Sequence, residues 1–183
     1  MLLSIVLGLG VTQLLTGVGR LVQARERVRT YWPPLAWVAL LLLIHVQAWW
    51  AMFDMRDHRG WTLLKFLVVL ATPACLYLMA ALVLPDVAEA TTGGRELDLR
   101  AHYYAQTRWF YGAAAAVVVT SLLRPVVMGG RVPLDLDRGM QLVFLGFTVA
   151  GAVVRRPRYH EVMTALSAVL LLAYVTVLFA ALR

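Results

Sequence analysis

The sequence predicts an all-α fold, a polytopic transmembrane helical bundle of six spans, and three observations carry that expectation. Of 183 residues, 61% are hydrophobic and 15% charged, with a mean hydropathy of +0.74. That leaves too little polar surface to wrap a soluble domain of this length. The apolar residues also come in long blocks, several reaching the roughly 20 residues that a hydrocarbon layer about 30 Å thick requires. Finally, arginines and aromatic rings gather at the block ends, where headgroups favour them.

The whole chain, 1–183, reads as one transmembrane domain. The first span is predicted over about 2–19 and ends at the basic loop Arg20–Thr30. It lacks a basic start and a small-residue cleavage site, so it reads as a retained helix and not a signal peptide. The second span covers about 33–53, opened by Pro33-Pro34; proline suits a first helical turn, where its missing N–H has no intrahelical partner anyway. The third covers about 61–84, closed by Pro85, with Pro73 predicted to kink it by freeing a backbone carbonyl. A long loop over 85–108 precedes the fourth span at about 109–128. The fifth, about 140–154, is short for a crossing unless Arg155 and Arg156 snorkel. The sixth covers about 162–182.

Arginine placement gives an orientation. The loops after spans one, three and five carry Arg20, Arg25, Arg27 and Arg29, then Arg95, Arg100 and Arg108, then Arg155, Arg156 and Arg158. Those after spans two and four carry only Arg56 and Arg59, then Arg131 and Arg138. Positive residues favour the cytoplasm, which puts the odd-numbered loops inside and both termini in the periplasm. The aromatic belt follows suit: Tyr31, Trp32, Tyr103, Tyr104, Trp109 and Tyr111 at the inner face, Trp49, Trp50 and Trp61 at the outer. The net charge of +7 therefore speaks for anionic lipid rather than nucleic acid, since no basic domain or aromatic platform is present to bind the latter.

An internal repeat is a further expectation. His58–Tyr77 aligns without gaps on His160–Phe179, matching Thr62 with Thr164 and Leu64 with Leu166, and two weakly related three-helix halves would then have inverted topology. In span one, Ser4, Gly8, Thr12, Thr16 and Arg20 recur at i, i+4. Such a small-residue line is a helix-packing seam or, alternatively, a substrate-lining face.

The candidate substrate-binding or pore-lining residues are His45, Gln47, Gln13, Thr12, Lys65 and Arg124. His45 and Gln47 lie near the middle of span two, where polar groups are costly and turn to the bundle interior or a hydrated cavity. The histidine could instead hydrogen-bond Gln13, Thr12 or a backbone carbonyl. Haem ligation would need a second deep histidine, and His58, His102 and His160 all sit near span ends. Lys65 and Arg124 fall in the outer halves of spans three and four, either snorkelling to the surface or forming a basic vestibule over His45. The segment 95–111 reads as an interfacial helix running into span four. His102 and His160 with Glu161 read as solvated surface, or else as an inner gate or metal site. Asp135 and Asp137 read as a solvated turn.

No nucleophile with its base, phosphate loop, zinc motif or paired carboxylates is present, and the acids lie outside the spans. No enzyme, no metal and no cofactor is expected. Cys75, the single cysteine, cannot form an internal disulfide and reads as a small apolar residue.

Two stretches, Tyr31-Trp32-Pro33-Pro34 with His45-Val46-Gln47-Ala48-Trp49-Trp50, and Arg100-Ala101-His102-Tyr103-Tyr104 with Arg108-Trp109-Phe110, resemble a group of small polytopic bacterial membrane proteins without an assigned function. The resemblance covers spans one to four and implies a bacterial inner membrane. It implies no activity. The readings that remain are a small channel or transporter for an ion or small solute along spans one to four, an accessory subunit of a larger membrane complex, or a lipid- or quinone-binding protein. The partners expected are the lipid bilayer and a second copy or a larger complex.

Overall fold

The computed structural model describes residues 2–53, 55, 60–87, 96–130 and 136–181, with side chains omitted at 53, 136–137 and 174–181. Arg56, His58, Arg59, Arg95, Arg131 and Asp135 lie outside the described residues, as does the side chain of Asp137. Six α-helices account for most of the chain: α1 Leu2–Gln23, α2 Trp32–Phe53, α3 Leu63–Val83, α4 Leu99–Val127, α5 Leu136–Val153 and α6 Pro157–Ala181.

Among the described residues, four of them, α1 to α4, are long and apolar enough to cross a membrane, and α5 holds a shorter apolar stretch, Arg138–Val153. Their outward faces are greasy. Ile5, Leu9, Leu63, Leu64, Val162 and Val169 are each more than half exposed, an arrangement that water would penalise and hydrocarbon would not. The chain is an integral membrane protein.

The termini of the helices follow local chemistry. Pro33 and Pro34 occupy the first turn of α2 and Pro157 starts α6. Thr62 caps α3 by accepting from the Lys65 amide at 3.3 Å. Asp98 caps α4 by accepting from the amides of Arg100 and Ala101 at 2.8 and 3.1 Å. At the other end of α4, Gly129 turns left-handed (φ 78°) while the Gly130 amide donates to Pro125 and that of Gly129 to Val126, which closes the helix with two otherwise orphaned carbonyls satisfied. The predicted interfacial helix and span four form one continuous element of 29 residues.

Helix α3 packs against α1, α2 and α4; α4 packs on α5; α6 leans on α2 and, more sparsely, on α5. Inside a bilayer the hydrophobic effect does not drive helices together, so dispersion and close approach must. The core supplies both: Leu7, Leu14, Leu41, Leu76 and Leu99 are almost fully buried. At the end of the bundle where α1 meets α2 and α3 meets α4, a short parallel pair, β1 Val28–Arg29 and β2 Leu97–Asp98, ties the first loop to the third. Arg20 meets Asp86 at 3.3 Å nearby, with both side chains about half exposed, a pair worth little in water.

The i, i+4 line on α1 does not pack within the chain. Ser4, Gly8, Thr12, Thr16 and Arg20 are all exposed, and α1 buries Leu7, Gly10, Leu14 and Leu21 instead. A four-residue step drifts around the helix, and the larger leucines offer more contact area than the small residues. The aligned residues of the suggested repeat also differ in setting. Thr62 is an exposed cap, whereas Thr164 is fully buried inside α6.

Candidate functional site

Two clusters of buried polar side chains stand out, one at the odd-loop end of the bundle and one in its middle.

The odd-loop cluster is built around His160, one turn into α6 and fully buried. Its Nε2 lies 2.7 Å from the carbonyl of Val154, just beyond α5. A carbonyl can only accept, so Nε2 carries the proton and Nδ1 is the ring's acceptor. The Tyr103 hydroxyl sits 3.1 Å from Nδ1 and 2.9 Å from the Tyr111 hydroxyl, which is itself 3.4 Å from Nδ1. Two proton orders satisfy the set: Tyr111 donates to Tyr103 and Tyr103 to His160, or Tyr103 donates to Tyr111 and Tyr111, over the longer contact, to His160. The rings of Tyr103, Tyr104, Tyr111 and Tyr159 surround the imidazole at 5.4–5.6 Å, and Trp37 closes the cluster from α2 against Phe110 and Tyr111. Gly151 on α5 makes room, since a Cβ there would stand 2.8 Å from the Tyr111 ring.

Toward the surface, the Tyr31 hydroxyl lies 3.3 Å from that of Tyr104 and donates to Glu161 over a long 3.5 Å, with the Arg100 guanidinium 5.7 Å above its ring. Burial, and then the bond to Tyr104, push the Tyr31 phenol well above its ordinary value, so it stays a neutral donor. His102, one turn into α4, repeats the device of His160: its Nε2–H donates to the Leu82 carbonyl in the last turn of α3 at 3.2 Å. Each histidine thus reaches back to the end of the preceding helix and satisfies a carbonyl that the helix cannot.

This corrects the reading of His102 and His160 as solvated surface. His160 is sealed, His102 half-buried, and among the described residues no group of three or more histidines, cysteines and carboxylates converges. It also removes Tyr103 and Tyr111, 4% and 1% exposed, from the aromatic belt; Trp32, Trp49, Trp50, Trp61 and Trp109 stay on the exterior.

His45 lies in the α1–α2 crossing and is 1% exposed. Its Nδ1–H donates to the Leu41 carbonyl one turn back at 2.7 Å, and its Nε2 has no hydrogen-bond partner among the described residues. That nitrogen presses on Gly10, where any Cβ would collide with the ring. Thr12 and Gln13 are exposed on α1, and the Thr12 hydroxyl donates to the Gly8 carbonyl at 2.9 Å. The structure therefore separates His45 from Thr12 and Gln13. Lys65 folds back so that its Nζ donates to the Gly60 carbonyl at 3.2 Å, and Arg124 is half-buried in the last turn of α4.

Gln47, two residues beyond His45, belongs to the second cluster. It lines a cavity of about 300 Å³ between α2, α4, α5 and α6, walled mainly by Trp37, Leu40, Val118, Phe144 and Leu171, with Ser121, Gln141 and Ser167 as its other polar residues. The Gln47 amide nitrogen and the Ser167 hydroxyl, the latter 7% exposed, have no hydrogen-bond partner among the described residues. The same holds for Thr164, fully buried on α6 between Ser167 and His160. His160, Thr164 and Ser167 follow i, i+4, i+7 spacing and so share one face of α6. Sequence reasoning found Gln47 and missed Ser167 and Thr164; that spacing of polar residues was their signal.

Comparison with known proteins gives no match: no family model, curated protein or solved structure is similar to this chain.

Proposed function

We propose that this integral membrane protein binds a small lipophilic molecule, drawn from the bilayer, in the cavity between α2, α4, α5 and α6. The observation that carries this reading is the cavity itself. Its volume falls at the low end of small-molecule sites, and its wall is apolar with a few polar groups, the composition such sites share. A channel along α1 to α4 has less in its favour, because His45 is wedged against Gly10 while Thr12 and Gln13 face outward.

Transport of the bound molecule is the second reading. The polar face of α6 favours it, since Ser167, Thr164 and His160 continue from the cavity toward the odd-loop end. In this reading the arginine-rich odd loops face the cytoplasm of a bacterial inner membrane.

The substitution Val118→Phe, which fills the cavity from α4, tests both. Native mass spectrometry of the detergent-released wild type should show a co-purified lipophile that the variant lacks. Equal retention by the two proteins would refute binding in this cavity. Reconstituted into liposomes, the wild type should move the retained molecule between leaflets faster than the variant if transport follows binding; equal rates would leave a binding protein.

A further inference from the structure

Resting on that reading, we infer that the bound molecule is uncharged and presents a carbonyl oxygen to Gln47 and Ser167.

The first half follows from the lining. No charged side chain among the described residues contributes to it, and an ion moved there would lose its hydration with none of these residues offering an opposite charge. A net charge on the ligand is therefore disfavoured by far more than the apolar wall returns.

The second half follows from the orphans. The Gln47 amide nitrogen can only donate, and the Ser167 hydroxyl can donate as well as accept. Both are shielded from solvent and lack a partner among the described residues, an arrangement that native proteins avoid unless something else completes it. The two side chains project from different helices, α2 and α6, into one apolar space. An oxygen with two lone pairs can accept from both at once, whereas a hydrocarbon leaves both unsatisfied. Thr164, one turn below Ser167 on α6, is a second hydroxyl without a partner among the described residues. Two membrane constituents meet this description: a quinone ring and the ester carbonyl of a glycerolipid.

The test uses the full chain in nanodiscs of ether-linked lipid, titrated with decylubiquinone and with a decylated, fully alkylated benzene that has no carbonyl. Bound probe is counted by native mass spectrometry. The quinone should bind the wild type about tenfold more tightly than the hydrocarbon, the ratio expected when a buried donor regains its partner. Ser167→Ala and Gln47→Leu should each remove most of that preference, read as the ratio of the two affinities within each variant. Equal affinity of the wild type for the two probes, with Val118→Phe expelling both, would overturn the carbonyl inference and leave the lipophile reading standing. Failure of Val118→Phe to expel either probe would overturn both. Repeating the titration in ester-linked lipid separates the sources: a weakened apparent quinone affinity assigns the donors to glycerolipid esters, and an unchanged one assigns them to a ring.

Discussion

The odd-loop end and the middle of the bundle both bury polar side chains, yet they do so on opposite terms. Around His160, both ring nitrogens and the hydroxyls of Tyr103 and Tyr111 have partners within the chain. Around the cavity, Gln47, Thr164 and Ser167 each bury a nitrogen or oxygen with none among the described residues. In a low-dielectric interior a satisfied network stiffens the fold, while an unsatisfied one weakens it. The first cluster therefore reads as a structural knot that locks α4, α5 and α6 together. The second reads as a place kept for something else. Burial alone separates neither; the partner inventory does.

That contrast can be broken by substitution. The largest effect is expected at the knot. His160→Ala leaves the Val154 carbonyl and the Tyr103 hydroxyl without their imidazole and opens a void among four tyrosine rings. It should destabilise the bundle by about 3 kcal/mol, read as a lowered unfolding midpoint in mixed micelles. A loss near zero would mean that the network is not holding the helices.

A smaller loss is expected for Tyr103→Phe, which keeps the ring and deletes only the hydroxyl that links Tyr111 to His160. About 1 kcal/mol is the expected cost, near the value of a hydrogen bond between membrane helices. An effect as large as that of His160→Ala would shift the weight from the imidazole to the hydroxyl chain.

The smallest effect, and the one that sharpens the comparison most, belongs to the cavity. Gln47→Leu removes an amide whose nitrogen has no partner among the described residues, so the ligand-free protein should be as stable as wild type or about 0.5 kcal/mol more stable. The same unfolding measurement checks it. A destabilisation matching that of Tyr103→Phe would show that Gln47 is a structural residue like those of the knot.

Much of the fold was legible in the sequence because it is local. Hydrocarbon-length apolar blocks set the helices, and Pro33 and Pro34 mark the start of α2 by chemistry that acts within one turn. The site was legible only in part. Gln47 was singled out for its depth, but its companions Ser167 and Thr164 are small and common in apolar helices. Which face of α1 turns inward was left open, because a line of small residues and the line of larger leucines beside it both offer a seam until a neighbour chooses one. His160 looked like surface because it stands near a helix end. Only the return of α4 against α6 encloses it.

By itself, then, the sequence determined that the chain is all-α, that its long apolar blocks form helices and that their outer faces seek hydrocarbon, since length and hydropathy are properties of contiguous residues. The tertiary structure alone decided which buried polar atoms find partners. Tyr103 and His160 are 57 residues apart, and Gln47 and Ser167 still farther. Whether such groups meet each other or face an empty space depends on how separate helices pack, and no local pattern encodes that.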